Sequence, residues 1–285
     1  MTFSIVARDP ATGDLGVAVQ SKFLAVGAAV IHASAGIGAV ATQALANVSY
    51  GPRGLALLEA GATADLAVQA LVGSDPLADR RQLGIVDAAG RVAAHTGSGC
   101  SDWAGHLAGD GFSCQGNILV SGVTLDAMAA TMADRFDLPL PERLVAALAA
   151  GQAAGGDARG QESAGLLVVR PGGGYGGGQS DRLMDLRVDD HLRPIAELAR
   201  LVGLHRRYFD QPSETELLAM DRDLRTEIAE RLARVTGLAL DAGHPDELWA
   251  ALEHWAGREN LEVRMVRPGS IDRMVLGVLR EETGG

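Results

Sequence analysis

After its first Met the chain reads TFSIVARDPATGDLGVAVQSK, and no other stretch constrains the fold as much. Phe3 to Arg8 and Leu15 to Gln20 are short runs rich in β-branched and apolar residues, the composition of strands. Between them Asp9-Pro10-Ala11-Thr12-Gly13-Asp14 is turn chemistry: proline presets φ and glycine accepts a positive φ. The two runs are predicted to pair as an antiparallel hairpin. Centred on the turn, the pairing sets Thr2 opposite Gln20 to Lys22, so that Ser21 or Lys22 lies beside it. A slip of one residue exchanges the two. With Met1 removed, Thr2 combines a nucleophile and a base. Its hydroxyl attacks a carbonyl and its own α-amine takes the proton. The amine titrates near ~7.7–8.0. An ammonium beside it, that of Lys22, lowers this value and steadies developing negative charge.

The pattern of paired strands continues. Val26 to Ile31 and Ile37 to Thr42 form a second predicted hairpin, Gln82 to Asp87 and Arg91 to Thr96 a third. Ser163 to Arg170 and Leu183 to Asp189 form a last one, joined by the glycine-rich loop Pro171 to Gly178. Helical patterns fall between them, at Gly54 to Ala60 with Ala64 to Leu71, and at Thr124 to Phe136 with Pro141 to Ala150. Hairpins alternating with helix pairs predict an α+β fold, a four-layer αββα sandwich of two sheets between helical layers. From about Ser213 the character changes. Glu214 to Val235 and Pro245 to Ala256 read as amphipathic helices, the second carrying Trp249 and Trp255. Two domains are expected, 1–211 and a small, mainly helical 212–285.

Composition removes several classes of function. A net charge of -11 repels nucleic-acid phosphates. No apolar run approaches the roughly 18 residues of a membrane span, and the N-terminus lacks the pattern of a signal peptide. Cys100 and Cys114 make no disulfide framework and read as small buried thiols. A cytoplasmic protein is expected. Its partners would be a small-molecule amide substrate and further copies of the chain in a homo-oligomer, with neither nucleic acid nor membrane.

Further candidates sit where predicted strands end. His95 to Cys100 closes one strand, and Thr96 with Gly97 offers N–H donors for an oxyanion. Gly116-Asn117 is read as opening the next strand, with Asn117 as a side-chain donor. Arg81 and Gln82 begin a strand and suit a substrate carboxylate. A salt bridge from Arg81 to Asp75 is the alternative. Gly155 to Ser163 is a polar, glycine-rich loop running into a strand, the kind of segment that carries site residues. Asp157 and Ser163 are its catalytic candidates, and Arg159 and Gln161, with Ser21, its substrate contacts. Local turn hydrogen bonds from Asp157 and Gln161 are the competing reading. Asp189-Asp190-His191 reads as a helix start rather than a metal site. No metal or cofactor is expected.

Residues 2 to about 205 resemble the bacterial family catalogued as domain of unknown function 1028. The resemblance rests on TFSIVARDPATGDLGVAVQSKFLAVG, GIGAVATQ, YGPRGL, RQLGIVDAAGRVAAHTG, QGNIL, AGGDARGQESAGLLVV and RVDDHLRPI. It implies the N-terminal-nucleophile (Ntn) hydrolase fold, with Thr2 as nucleophile and Lys22 as the basic residue near it. By the same likeness, Asp157 and Ser163 would orient the terminal amine, as an Asp and a Ser do in proteasome-like relatives. The implied activity is hydrolysis of a C–N bond in a small molecule. A non-catalytic ligand-binding protein or an oligomeric scaffold on the same fold is the rival. The stretch ELWAALEHWAGRENLEVRM resembles a small domain labelled peptidoglycan-binding.

Overall fold

The computed structural model describes residues 2–284. The chain forms two compact units, Met1–Val202 and Gly203–Gly285. Unit 1 begins with β1 (Thr2–Arg8) and β2 (Leu15–Ser21). There follow α1 (Val26–Val30), β3 (Ile31–Ser34), β4 (Gly38–Ala44), α2 (Tyr50–Glu59) and α3 (Ala64–Gly73). Next come β5 (Arg81–Asp87), β6 (Val92–Thr96), β7 (Gly105–Gly109) and β8 (Phe112–Asn117). Then α4 (Val123–Asp134), α5 (Leu140–Ala153), β9 (Ser163–Val169), β10 (Arg182–Val188) and α6 (Pro194–Phe209) complete the series. Unit 2 starts within α6.

All the strand pairs are antiparallel. Six strands form one sheet in the order β10-β9-β2-β1-β8-β7, and β3-β4-β5-β6 form a second. Side chains alternate between the faces of each sheet, and every phase has its own core. Phe3 and Ile5 point out of the first sheet onto Met128, Leu144 and Leu148 of α4 and α5. Val40, Leu83 and Ile85 point out of the second onto Tyr50, Ala67 and Leu71 of α2 and α3. The opposite phase carries Val6, Val17 and Val19, which meet Ala39, Ala41 and Val86 between the sheets. Arg143 and Arg170 pin the β1–β2 turn by pairing with Asp9 at 2.8 Å and Asp14 at 2.6 Å.

In unit 1 two segments depart from the pattern predicted by sequence. Val26–Val30 is a short helix, and the strand begins only at Ile31. Ala25 takes a φ of 52°, and the Val26 N–H donates to Ser163 Oγ at 3.0 Å, which turns the chain before it can extend. Gly116 and Asn117 end a strand rather than opening one. They close the hairpin β7–β8, in which Gly, His, Ser, Cys and Gln, residues of little intrinsic strand preference, outnumber Leu107 and Phe112.

In unit 2, Glu214–Glu216 is a single turn closed by a Ser213 capping box. After it come β11 (Leu217–Ala219), α7 (Arg222–Thr236), α8 (Pro245–Arg258), β12 (Ser270–Asp272) and α9 (Arg273–Glu282). The helix predicted over Glu214 to Val235 is thus broken, because Leu217–Ala219 pairs with Ser270–Asp272. Helix α7 starts where Asp221 accepts the Leu224 N–H at 2.9 Å. Trp249 and Trp255 are both buried in the core with Leu252, Ile228 and Leu279.

Candidate active site

The inward faces of the two sheets are apolar at one end and polar at the other. Thr2, Ser4, Ser21, Gln43, Gln82, Gln115 and Asn117 all occupy inward positions of their strands, and all are buried. They sit at the end where β1 starts and β2, β4 and β8 stop. Thr2 is held on both sides, opposite Asn117 of β8 and, one step beyond the Phe3–Gln20 pair, beside Ser21 of β2. Its Oγ1 lies 3.1 Å from Ser21 Oγ.

The carboxamides form a directed network. Gln82 Oε1 accepts from Gln43 Nε2 at 2.8 Å and from Asn117 Nδ2 at 3.0 Å. The same two amides reach the Thr2 carbonyl, at 3.3 and 3.5 Å. Gln43 Oε1 accepts from Ser4 Oγ at 2.6 Å, and Ser4 accepts from Gln115 Nε2 at 2.7 Å. Gln115 lies across β5 because Gly84 carries no Cβ; one added there would stand 2.2 Å from Gln115 Oε1. Gln82 Nε2 donates to Gly116 O at 2.7 Å, Gly105 O at 3.0 Å and Thr96 Oγ1 at 3.0 Å. Thr96 Oγ1 also lies 2.9 Å from His106 Nδ1. Burial, and after it His95, lowers the pKa of His106, which favours the neutral ring.

Several residues proposed from sequence hold other partners. Ser21, not Lys22, faces Thr2, because the pleat sends alternate side chains to opposite faces. The Lys22 ammonium donates to Gln161 O at 3.3 Å and pairs with Glu162 at 3.4 Å. Asp157 accepts the Lys22 N–H at 2.9 Å and the Arg159 N–H at 2.8 Å, and its carboxylate pairs with the Arg159 guanidinium. Ser163 accepts from Val26 N and donates to Phe23 O. The loop 155–163 therefore fixes the segment 22–26 beside the Thr2 end. Arg81 pairs with Asp75 at 2.9 Å and donates to Leu45 O. Gly97 N is spent on Arg81 O at 2.9 Å, which removes it as an oxyanion donor. Asn117 and Gln82 have their amides committed within the network. Gln43, Gln115 and Ser4 were not singled out from sequence. Their signal was available: each is a polar residue in the inward phase of an otherwise apolar strand.

Asp75 collects four donors, from Arg81, Asn47, Tyr50 and the Leu77 N–H. The Arg81 guanidinium first, then Asn47, holds its carboxyl far below the usual range. Burial, then Asp75, pushes Tyr50 up to about 12. Burial also raises both thiols, so neither Cys100 nor Cys114 is a ready nucleophile. Among the described residues, no group of three or more His, Cys, Asp or Glu converges as on a metal ion. No helix among them is long and apolar enough to cross a membrane. Phe23, Leu24, Leu45, Trp103 and Val120 are exposed on the loops at the Thr2 end.

The chain thus has a mixed α/β unit with antiparallel sheets and a helical C-terminal region. The model described as a family of unknown function (DUF1028) matches residues 2–198, and the chain belongs to that family. A second model, "Putative peptidoglycan binding domain", matches residues 208–279. A crystal structure of a Silicibacter pomeroyi protein of the same DUF1028 family is similar at 33% identity and a TM-score of 0.66, over 72% of this chain and 86% of that one. Anbu, the ancestral β-subunit from Yersinia bercovieri, is similar at 10% identity and a TM-score of 0.32, over 71% of this chain and 93% of that one. No curated protein matches the chain.

Proposed function

We propose that unit 1 is a four-layer αββα sandwich of the Ntn-hydrolase kind and that the protein hydrolyses the C–N bond of a small amide. The observation that carries this reading is the placement of Thr2. It starts a central strand, is braced by β2 and β8, and turns its hydroxyl between the sheets, 3.1 Å from Ser21 Oγ. Removal of Met1, which lies outside the described residues, frees the α-amine. The Thr2 hydroxyl then attacks the carbonyl carbon while its proton passes to the amine and on to the leaving nitrogen. Water hydrolyses the ester that remains. Lys22, one residue beyond Ser21, is paired with Glu162 at 3.4 Å, and Asp157 and Ser163 hold its segment in place beside Thr2.

A second reading has an observation of its own. Every carboxamide donor between the sheets is already engaged, so the oxyanion needs N–H groups from the loops. A non-catalytic ligand-binding protein fits that arrangement. The experiment is intact-mass analysis of untagged protein followed by a screen of small amides. Met1 is expected to be absent. Thr2→Ala, and an uncleaved tag ahead of Thr2, each lower turnover by ~10²–10⁴-fold, with an unchanged melt. Retained Met1, or full activity in the fusion, would sink the Thr2 mechanism. For unit 2, the match to the peptidoglycan-binding model supports a cell-wall glycan as partner, read by co-sedimentation with insoluble peptidoglycan.

A further inference from the structure

We propose that unit 1 carries a second ligand site, a groove between α5 and α6 that takes a small molecule with an apolar chain and a terminal carboxylate. The cavity there measures about 520 Å³, inside the ~300–1,000 Å³ range of small-molecule sites. Its walls are Val145, Ala149 and Ala153 of α5 and Ile195, Ala196 and Ala199 of α6. The short side chains on both helices leave an apolar groove that accepts an alkyl chain.

Three of the four polar side chains that line the cavity gather at one end. Gln152 comes from the last turn of α5, Gln161 from the loop after it, and Arg193 from the residue before α6. Gln152 Oε1 is buried without a donor. Arg193 is exposed, and its guanidinium has no hydrogen-bond or ion-pair partner among the described residues. Nearby arginines are engaged: Arg143 with Asp9, Arg187 with Asp185, Arg200 with Glu197. An unpaired guanidinium beside an apolar slot is complementary to a carboxylate on a chain. Glu142 lines the cavity from the first turn of α5, ~15 Å along the helix from Gln152. The carboxylate therefore sits at the Arg193 end and the chain runs toward Glu142. Gln161 belongs to the loop that also carries Asp157 and Ser163, yet the groove shares no wall with Thr2.

The test is calorimetric titration of the full chain with decanoate, a readout that does not depend on hydrolysis at Thr2. One saturable site per chain is expected. From octanoate to dodecanoate the affinity should rise roughly fourfold per methylene. Arg193→Gln, at an exposed position whose guanidinium has no hydrogen-bond partner among the described residues, should fold normally and bind decanoate at least ten times more weakly, with decanol unaffected. Ala149→Phe should fill the slot and abolish both. Absence of binding to native protein, or equal binding by Arg193→Gln, overturns the site. Decanol binding native protein as tightly as decanoate overturns the anionic head group. Conversion of an oligomer to monomers by Ala149→Phe in sedimentation equilibrium would assign the groove to a second copy of the chain instead.

Discussion

Between the sheets of unit 1 the buried polar side chains are neutral: Thr2, Ser4, Ser21, Gln43, Gln82, Ser113, Gln115 and Asn117. In unit 2 the large buried polar groups are an ion pair, Arg264 with Asp272. Arg264 also donates to the carbonyls of Arg206 and Asp210, at 3.1 and 2.9 Å, and Asp272 caps α9 at the Met274 N–H. One pair thus staples a helix end, a strand and a loop. Unit 1 has its own buried pairs, but they hold the β1–β2 turn and the Asp75 corner. A fixed charge between the sheets would shift the titration of any group at Thr2. Carboxamides orient the residue through hydrogen bonds without adding a field of that strength. The cost is that each amide leaves several partners unsatisfied if it is lost.

Substitutions at the two polar centres test this contrast. The largest stability effect is expected from Arg264→Met, which strands Asp272 as an unpaired buried charge. The loss should be about 3–5 kcal/mol. Calorimetry should place it in a transition of unit 2, leaving the unit 1 transition where it was. A single transition that moves as a whole would show that the two units do not unfold independently.

Gln82→Leu should have a smaller effect on stability. It removes the acceptor for Gln43 and Asn117 and the donor to three oxygens, and each unsatisfied buried group costs about 1–3 kcal/mol, part of it recovered by relaxation. In native-state hydrogen exchange, the amides at the start of β1 should lose protection before those near the turn at Asp9. Uniform loss of protection along β1 would mean that the network does not locate Thr2.

The smallest effect is in pH dependence. Asp75 and Glu227 both have depressed pKa values, Glu227 to about 2 through Arg280 and then Arg231. Their stabilisation is present above the ordinary carboxylate range and is lost as pH falls below about 4. Both units therefore weaken in acid. Tyr50 is raised, so its contribution is present below about 10 and disappears as pH rises toward about 12. Melting curves against pH should show this alkaline loss in the unit 1 transition, and Tyr50→Phe should abolish it. An alkaline profile unchanged by Tyr50→Phe would mean that the Asp75 corner does not restrain the phenol.

The sequence by itself determined the pairing of β1 with β2 and the helical patterns of α3, α4, α5 and α8. Each depends on local chemistry: a proline-glycine turn, a capping residue, a run of one periodicity. Residues 2–21 also brought Thr2 to a strand start, since the turn and the strand lengths fix the register to within one residue. Tertiary structure decided the last step, that Ser21 and not Lys22 faces Thr2, because only packing against the second sheet selects which phase of the pleat points inward. It also decided that Val26–Val30 coils, through the Ser163 hydroxyl 137 residues away in sequence. The strand ending at Asn117 escaped local reading for the same reason. Ser113, Gln115 and Asn117 favour no strand by composition, and they are extended because their side chains find partners inside the protein, Ser113 on Gln115 and the two amides on β1 and β5.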